Sequence, residues 1–182
     1  MTFQIVESRV YESSFASAFG CLRGMLEIGG PLSSTALEEL AVKHEAATAV
    51  VQFVGGGTTH ACAFVHPKRR PRELRHFSPL QLDVDTLYIR ALVMSYAHRQ
   101  KPQILLRCVR TLLAYAKRTD HKNVCFDLPQ HPNYRAVHER LQQRFSSWYP
   151  IKRNETYIAV RYFLSVDEAQ GQLDALIGAW SN

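Results

Sequence analysis

The middle of the chain alternates between strand and helix patterns, and this order restricts the fold more than any other feature. Residues 85–96 form an apolar run typical of a strand, and Pro102 begins a segment whose apolar residues recur at helical spacing. Residues 123–128 follow as a short apolar strand, and residues 133–148 have the spacing of a second amphipathic helix. A strand–helix–strand unit implies parallel strands with a right-handed crossover. We therefore predict parallel pairing at the centre of a sheet.

The flanking segments predict further strands and helices around this centre. In chain order they are a strand at residues 3–10, helices beginning near Ser13 and Ser33, strands at 48–54 and 60–66, a strand at 156–164 and a helix at 167–180. The glycines at residues 55–57 make the turn of a hairpin, which implies antiparallel neighbours. The predicted fold class is therefore α/β (α+β), with a mixed sheet and helices on both faces.

Length and composition indicate one soluble domain over residues 1–182. Hydrophobic residues make up 46% and charged residues 21% of the chain. The apolar runs, such as residues 49–51, are far shorter than a membrane span of ~20 residues, and the N-terminus does not resemble a signal peptide. The four cysteines are scattered without a C-x-x-C pair, so we expect reduced, cytoplasmic thiols and no metal site.

The net charge of +6 favours an anionic partner. Five basic residues fall between Lys68 and Arg75, in a proline-containing segment that could contact an acidic partner. No motif with base-reading aromatic residues is visible, so nucleic acid is not the expected partner. Solvated surface charge is the preferred interpretation of the basic segment.

Two local patterns lie on the central unit. The first is LYIRALVMSYAHRQKPQILLRCVRTLLAYAKR, a strand, loop and helix at residues 87–118. The second begins at Asn133 and continues with Ala136 and Phe145. With the element order, these patterns resemble the GNAT N-acetyltransferase superfamily over nearly the whole chain. The resemblance implies a mixed, mostly antiparallel sheet, binding of acetyl-CoA or another acyl-CoA, and acyl transfer to an amine on a small molecule or protein.

The loop and the second pattern depart from that family. The family loop reads Gln or Arg, two residues, Gly, one residue, then Gly or Ala, and here it reads His98-Arg99-Gln100-Lys101-Pro102-Gln103. Glycines let backbone N–H groups approach a pyrophosphate at a helix N-terminus, whereas Arg99 and Lys101 would supply side-chain charge instead. Arg140 stands where the family often has a tyrosine that acts as the general acid. An arginine cannot donate a proton near neutral pH.

The resemblance gives candidate residues for each role. The expected cofactor-binding residues are Leu92, Val93 and Met94 through their backbone, with Arg99, Lys101, Gln103, Ile104 and Asn133. The candidate catalytic residues are His98, which can take up a proton near neutral pH, Tyr96 and Asp127. The candidate substrate-binding residues are Tyr88 and Arg90, which share one face of the central strand.

Simpler interpretations stay open for several of these residues. His98 could be an ordinary surface histidine, Asp127 a capping residue, Asn133 a helix N-cap and Tyr88 a buried structural residue. Cys125 could form an acyl intermediate, but its apolar strand favours a core thiol. The second function is a non-catalytic binding or regulatory module of the same fold that uses the basic segment 68–75. The exposed edges of a mixed sheet also allow a homodimer.

Overall fold

The architecture is a single mixed sheet with helices on both faces. The computed structural model describes residues 3–9, 12–27, 49–66, 85–98, 101–130, 132, 135–153 and 156–180. In chain order the elements are β1 (Gln4–Arg9), α1 (Phe15–Glu27), β2 (Ala49–Gly55), β3 (Thr58–His66), β4 (Thr86–Met94), a 3₁₀ turn (Tyr96–His98), α2 (Pro102–Arg118), β5 (Asn123–Pro129), α3 (Arg135–Arg144), β6 (Trp148–Arg153), β7 (Thr156–Ser165) and α4 (Val166–Trp180).

The strand order places the crossover at the centre of the sheet. The seven strands that the structure describes pair as β1-β2-β3-β4-β5-β7-β6. Among these described strands only β4 and β5 are parallel, with α2 as their crossover, and every other neighbouring pair is antiparallel. Gly56 and Gly57 have φ angles of 59° and 76°, the conformation that a tight hairpin turn requires between β2 and β3. The predicted mixed, mostly antiparallel sheet is confirmed.

Each face of the sheet is covered by its own apolar cluster. On one face, α1 packs Phe19 and Leu22 against residues of β2, β3 and β4, including Phe64 and Val93. On the other face, α2 and α4 bury the larger cluster, which contains Leu112 and residues of all the central strands. Burial of this apolar area stabilises the fold at roughly 25 cal/mol per Å². The predicted helices on both faces are confirmed.

Helix α2 begins at Pro102, within the segment 98–103 that corresponds to the family's loop. Pro102 stands in its first turn, where a missing N–H costs no helical hydrogen bond. Its basic residues Arg110 and Lys117 form exposed ion pairs with Asp174 and Asp167 of α4. The charges of Arg110 and Lys117 therefore take part in the packing of α2 against α4.

The C-terminal third differs from the sequence prediction in two places. The helix predicted at residues 133–148 is described only over α3, and Trp148 begins β6, a strand that was not predicted. On α3 the apolar Val137 is 44% exposed, whereas His138 is buried and its Nδ1 lies 2.7 Å from the Tyr162 hydroxyl. A partner for its polar ring allows His138 to occupy the inner face.

Some predictions fall outside the described residues. They concern the helix near Ser33, the basic segment Lys68–Arg75, and the candidate ligands Arg99 and Asn133. Among the helices that the structure describes, none is long and apolar enough to span a membrane.

Candidate functional site

The two parallel strands separate halfway along their length. β4 and β5 pair from Thr86 with Asn123 as far as Ile89 with Phe126. β4 then continues to Met94 beside β3, while the end of β5 stays paired with β7. The departure of β5 opens a cleft beside the second half of β4. A cleft where neighbouring strands part is a common position for a ligand in α/β sheets.

A bulge lies on β4 where the cleft begins. Ala91 pairs with Phe64 and Ile89 pairs with Val65, so Arg90 is an extra residue without a partner on β3. Such bulges re-aim side chains and are frequent beside active sites. Further along, the Ser95 N–H donates to the His60 carbonyl at 2.9 Å. Because N–H directions alternate along a strand, the Leu92 N–H then points toward the cleft.

An ion pair and a tyrosine form a polar cluster at the start of the cleft. Arg161 on β7 donates from Nε to Asp127 Oδ1 at 2.6 Å and from Nη2 to Oδ2 at 2.7 Å. Tyr88 donates from its hydroxyl to Asp127 Oδ2 at 3.0 Å, and Arg90 Nη1 lies 3.4 Å from that hydroxyl. Arg161 is 1% exposed, and the Asp127 side chain keeps 17% exposure. The carboxylate is therefore held in a fixed orientation but remains accessible.

Burial and charge determine the ionisation states in this cluster. Burial raises the pKa of the Tyr88 hydroxyl well above its usual range, and the Asp127 charge adds to the rise, so Tyr88 is a neutral donor. Burial alone would lower the pKa of Arg161, but its hydrogen bonds to Asp127 and the Asp127 charge outweigh this and raise the pKa. Burial raises the pKa of Cys125 to about 12. A thiol with that pKa carries almost no thiolate, so Cys125 is not placed to act as a nucleophile.

A histidine pair lies on the other side of β4, toward β3. His60 Nε2 is 2.9 Å from the Gly55 carbonyl oxygen, and His60 Nδ1 is 2.7 Å from His98 Nε2. The carbonyl can only accept, so His60 carries its proton on Nε2 when neutral and accepts at Nδ1. His98 must then donate from Nε2, which leaves a lone pair on its Nδ1. That atom is buried and has no hydrogen-bond partner in the described part of the chain.

The loop before α2 uses much of its backbone internally. The Lys101 N–H donates to His98 O at 2.9 Å, and the N–H groups of Ile104 and Leu105 donate to Lys101 O at 2.9 and 3.4 Å. Pro102 has no N–H to offer. The side chains of Lys101 and Gln103 are exposed. Charge at this loop is therefore supplied by side chains more than by a cradle of free N–H groups.

The structure divides the predicted site residues into separate groups. Tyr88, Arg90 and Asp127 come together at the start of the cleft, whereas His98 faces His60 and the Tyr96 side chain is 73% exposed. Two functional candidates were not predicted. Arg161 could have been recognised as a charged residue inside the apolar strand pattern IAVRYFL, which demands a partner. For His60, no pattern in the sequence indicated the pairing with His98.

Among the comparisons with known proteins, the comparison with solved structures identifies the architecture. No protein-family model and no curated protein matches the chain. Solved structures do match, among them a candidate acetyltransferase of the GNAT family from Desulfovibrio desulfuricans. It is 11% identical, with 90% of this chain and 99% of that chain covered at a TM-score of 0.56. This chain has the GNAT fold.

Other structures with the GNAT fold extend the comparison. Tetrahymena GCN5 is 6% identical, with 91% of this chain and 98% of that chain covered at a TM-score of 0.58. An acetyltransferase from Bacillus subtilis, solved in complex with CoA, is 10% identical, with 90% and 99% covered at a TM-score of 0.51. At these identities the likeness establishes the fold, and the chemistry depends on the residues of the cleft.

Proposed function

We propose that this protein is an acyl-CoA-dependent N-acyltransferase that binds the acyl-CoA in the cleft between β4 and β5. The observation that carries the proposal is the end of β4–β5 pairing at Ile89 and Phe126 while β4 continues to Met94. The cleft lies next to the start of α2, and the GNAT fold is shared with an acetyltransferase solved with CoA. In the transfer, the acceptor ammonium group first loses a proton to solvent, the free amine nitrogen attacks the thioester carbonyl carbon, the C–S bond breaks, and a second amine proton leaves with the thiol.

The cofactor would be held by backbone on one side and by charge on the other. The Leu92 N–H, together with the adjoining backbone of Val93 and Met94, is our candidate for contact with the acyl carbonyl. A fixed donor there would stabilise negative charge that develops on the carbonyl oxygen. The exposed side chains of Lys101 and Gln103 are assigned to the phosphates at the start of α2, where the helix dipole favours anions, whereas the Ile104 N–H already donates to Lys101 O. Arg99 and Asn133 are assigned to the same group from the sequence.

Asp127 is our candidate for contact with the acceptor amine. Its carboxylate has about four lone-pair positions, of which Oδ2 uses two for Arg161 and Tyr88, and Oδ1 uses one for Arg161. One position on Oδ1 is left for an ammonium group. Arg161 and Tyr88 hold the carboxylate in place, which supplies the orientation that acyl transfer needs. Tyr96 follows the end of β4 and is exposed, so we assign it to the cofactor end of the cleft, whereas His98 faces His60 on β3 and receives no role there.

The alternative is a non-catalytic module of the same fold. It would be favoured by a cleft filled with Tyr96, His98 or Arg140. Tyr96 and Arg140 are exposed, and the His98 ring is directed to His60 on β3, away from β5. These positions support an open cleft and thus the enzyme.

Calorimetric titration with acetyl-CoA and with longer acyl-CoAs tests the proposal. We expect saturable binding that weakens in Lys101→Ala but not in Lys117→Ala, a matched lysine at the far end of α2 that pairs with Asp167. Thiol release in the presence of amines would then establish transfer. A protein that binds no acyl-CoA at millimolar concentration would contradict the proposal.

A further inference from the structure

The polar cluster at the cleft contains more positive charge than its one carboxylate balances. Asp127 forms a bidentate pair with Arg161, so these two charges compensate each other. Arg90 is half-buried, and its one hydrogen bond within the described residues goes to the neutral hydroxyl of Tyr88 at 3.4 Å. Two guanidinium groups therefore flank a single hydroxyl–carboxylate pair.

Two buried donors in the same cluster have no acceptor among the described residues. Arg90 Nε and Arg161 Nη1 are both buried, and neither has a hydrogen-bond partner in the part of the chain that the structure describes. A partly buried charge without a partner is costly, and an arginine retains its charge under all ordinary conditions. The arrangement thus indicates an anionic group that arrives with a ligand.

The bulge on β4 supplies an independent indication that Arg90 has a ligand to bind. Arg90 is the extra residue between Ile89 and Ala91 in the pairing with β3. A regular strand would place a residue here in the ladder, whereas the bulge re-aims its side chain. The guanidinium consequently lies beside Tyr88 and Asp127 at the start of the cleft rather than in the apolar cluster under α1.

We propose that the acceptor is a small primary amine that also carries a carboxylate, with Asp127 Oδ1 binding the ammonium group and Arg90 binding the carboxylate. This inference rests on the proposed acyl transfer and names the class of its acceptor. Guanidinium groups bind carboxylates through paired N–H donors, which fixes orientation as well as charge. With both ends of the acceptor held, the amine nitrogen would face the thioester carbonyl. The carboxylate of the acceptor takes no part in the bonds that form and break.

Matched acceptor pairs test this assignment directly. Acetyl-CoA turnover is measured as thiol release with a panel of amino acids and with the amines that differ from them only by loss of the carboxylate. We expect the carboxylate-bearing member to be preferred by on the order of 10- to 100-fold in kcat/KM, the range expected for a hydrogen bond to a charged group. Equal rates, or a preference for the amines without a carboxylate, would overturn the assignment.

Variants of Arg90 give a second readout. Arg90→Gln should lose the preference while binding acetyl-CoA as the wild type does, and Arg90→Lys should retain part of it. Arg118→Gln removes the same kind of charge at the C-terminal end of α2, away from the cleft, and should keep the full preference. A full preference in Arg90→Gln would overturn the assignment, as would turnover of neither panel by a protein that still binds acetyl-CoA. If the wild type does not bind acetyl-CoA, that result would instead overturn the proposed function itself.

Discussion

Replacing Asp127 with alanine should destabilise the protein far more than removing an exposed carboxylate. The change leaves Arg161, which is 1% exposed, charged and without its bidentate partner. Breaking a buried pair on one side costs about 3–5 kcal/mol, and loss of the Tyr88 hydrogen bond adds about 1 kcal/mol. For a chain of 182 residues this corresponds to a decrease in Tm of roughly 8–24 °C. Urea unfolding followed by circular dichroism measures the free energy directly.

Two further variants make this test specific. Asp167→Ala removes a carboxylate that pairs with Lys117. The side chains of Asp167 and Lys117 are 80% and 64% exposed, so we expect a cost of about 0–1 kcal/mol. The double variant Asp127→Leu/Arg161→Met removes both charges, and it should be more stable than Asp127→Ala because no charge is left buried. Similar losses in Asp127→Ala and Asp167→Ala would refute the burial argument.

Three other predictions concern the histidine pair, the loop and the thiols. Long-range ¹H–¹⁵N NMR should show neutral His60 and His98 each protonated on Nε2, and a proton on His98 Nδ1 would contradict the hydrogen-bond chain. Lys101→Ala should weaken acetyl-CoA binding roughly five-fold, as expected for one exposed charge, and an unchanged Kd would exclude its contact with phosphate. Burial raises the pKa of Cys125 from 9.0 to about 12, so between these values the unfolded state holds fewer protons and stability falls as pH rises. Urea unfolding from about pH 8 to about pH 10 should show this decrease, with a flatter slope in Cys125→Ala.

Most of the secondary structure could be predicted from the sequence because burial imposes a period on each element. The strands near residues 49, 58, 86, 123 and 156 and the helix from Pro102 stand where apolar spacing placed them. β6 was missed because its residues, WYPIKR, include a proline and follow a helical pattern that continues to Phe145. Its position at the edge of the sheet allows Pro150 to be present.

The cleft and its polar cluster could be predicted only in part. Tyr88 and Arg90 were identified because they alternate on one face of the central strand, and Asp127 because it lies at the end of the strand NVCFDL, where it could polarise an amine. The end of β4–β5 pairing is a property of register between distant segments, and local patterns do not specify it. Arg161 contacts Asp127, which is 34 positions away in the sequence, and His60 contacts His98, which is 38 positions away. Such contacts arise only when the sheet is assembled.

Backbone amide NMR with acetyl-CoA tests the central claim, an acyl-CoA site in the β4–β5 cleft. As acetyl-CoA is added, we expect the Leu92 amide resonance to shift together with those of Lys101 and Gln103 at the start of α2. The amides of β1, at the far edge of the sheet, should not change. Saturating shifts at Leu92 and the α2 start would support the account. Saturation without any change at Leu92, or no shift at millimolar acetyl-CoA, would contradict it.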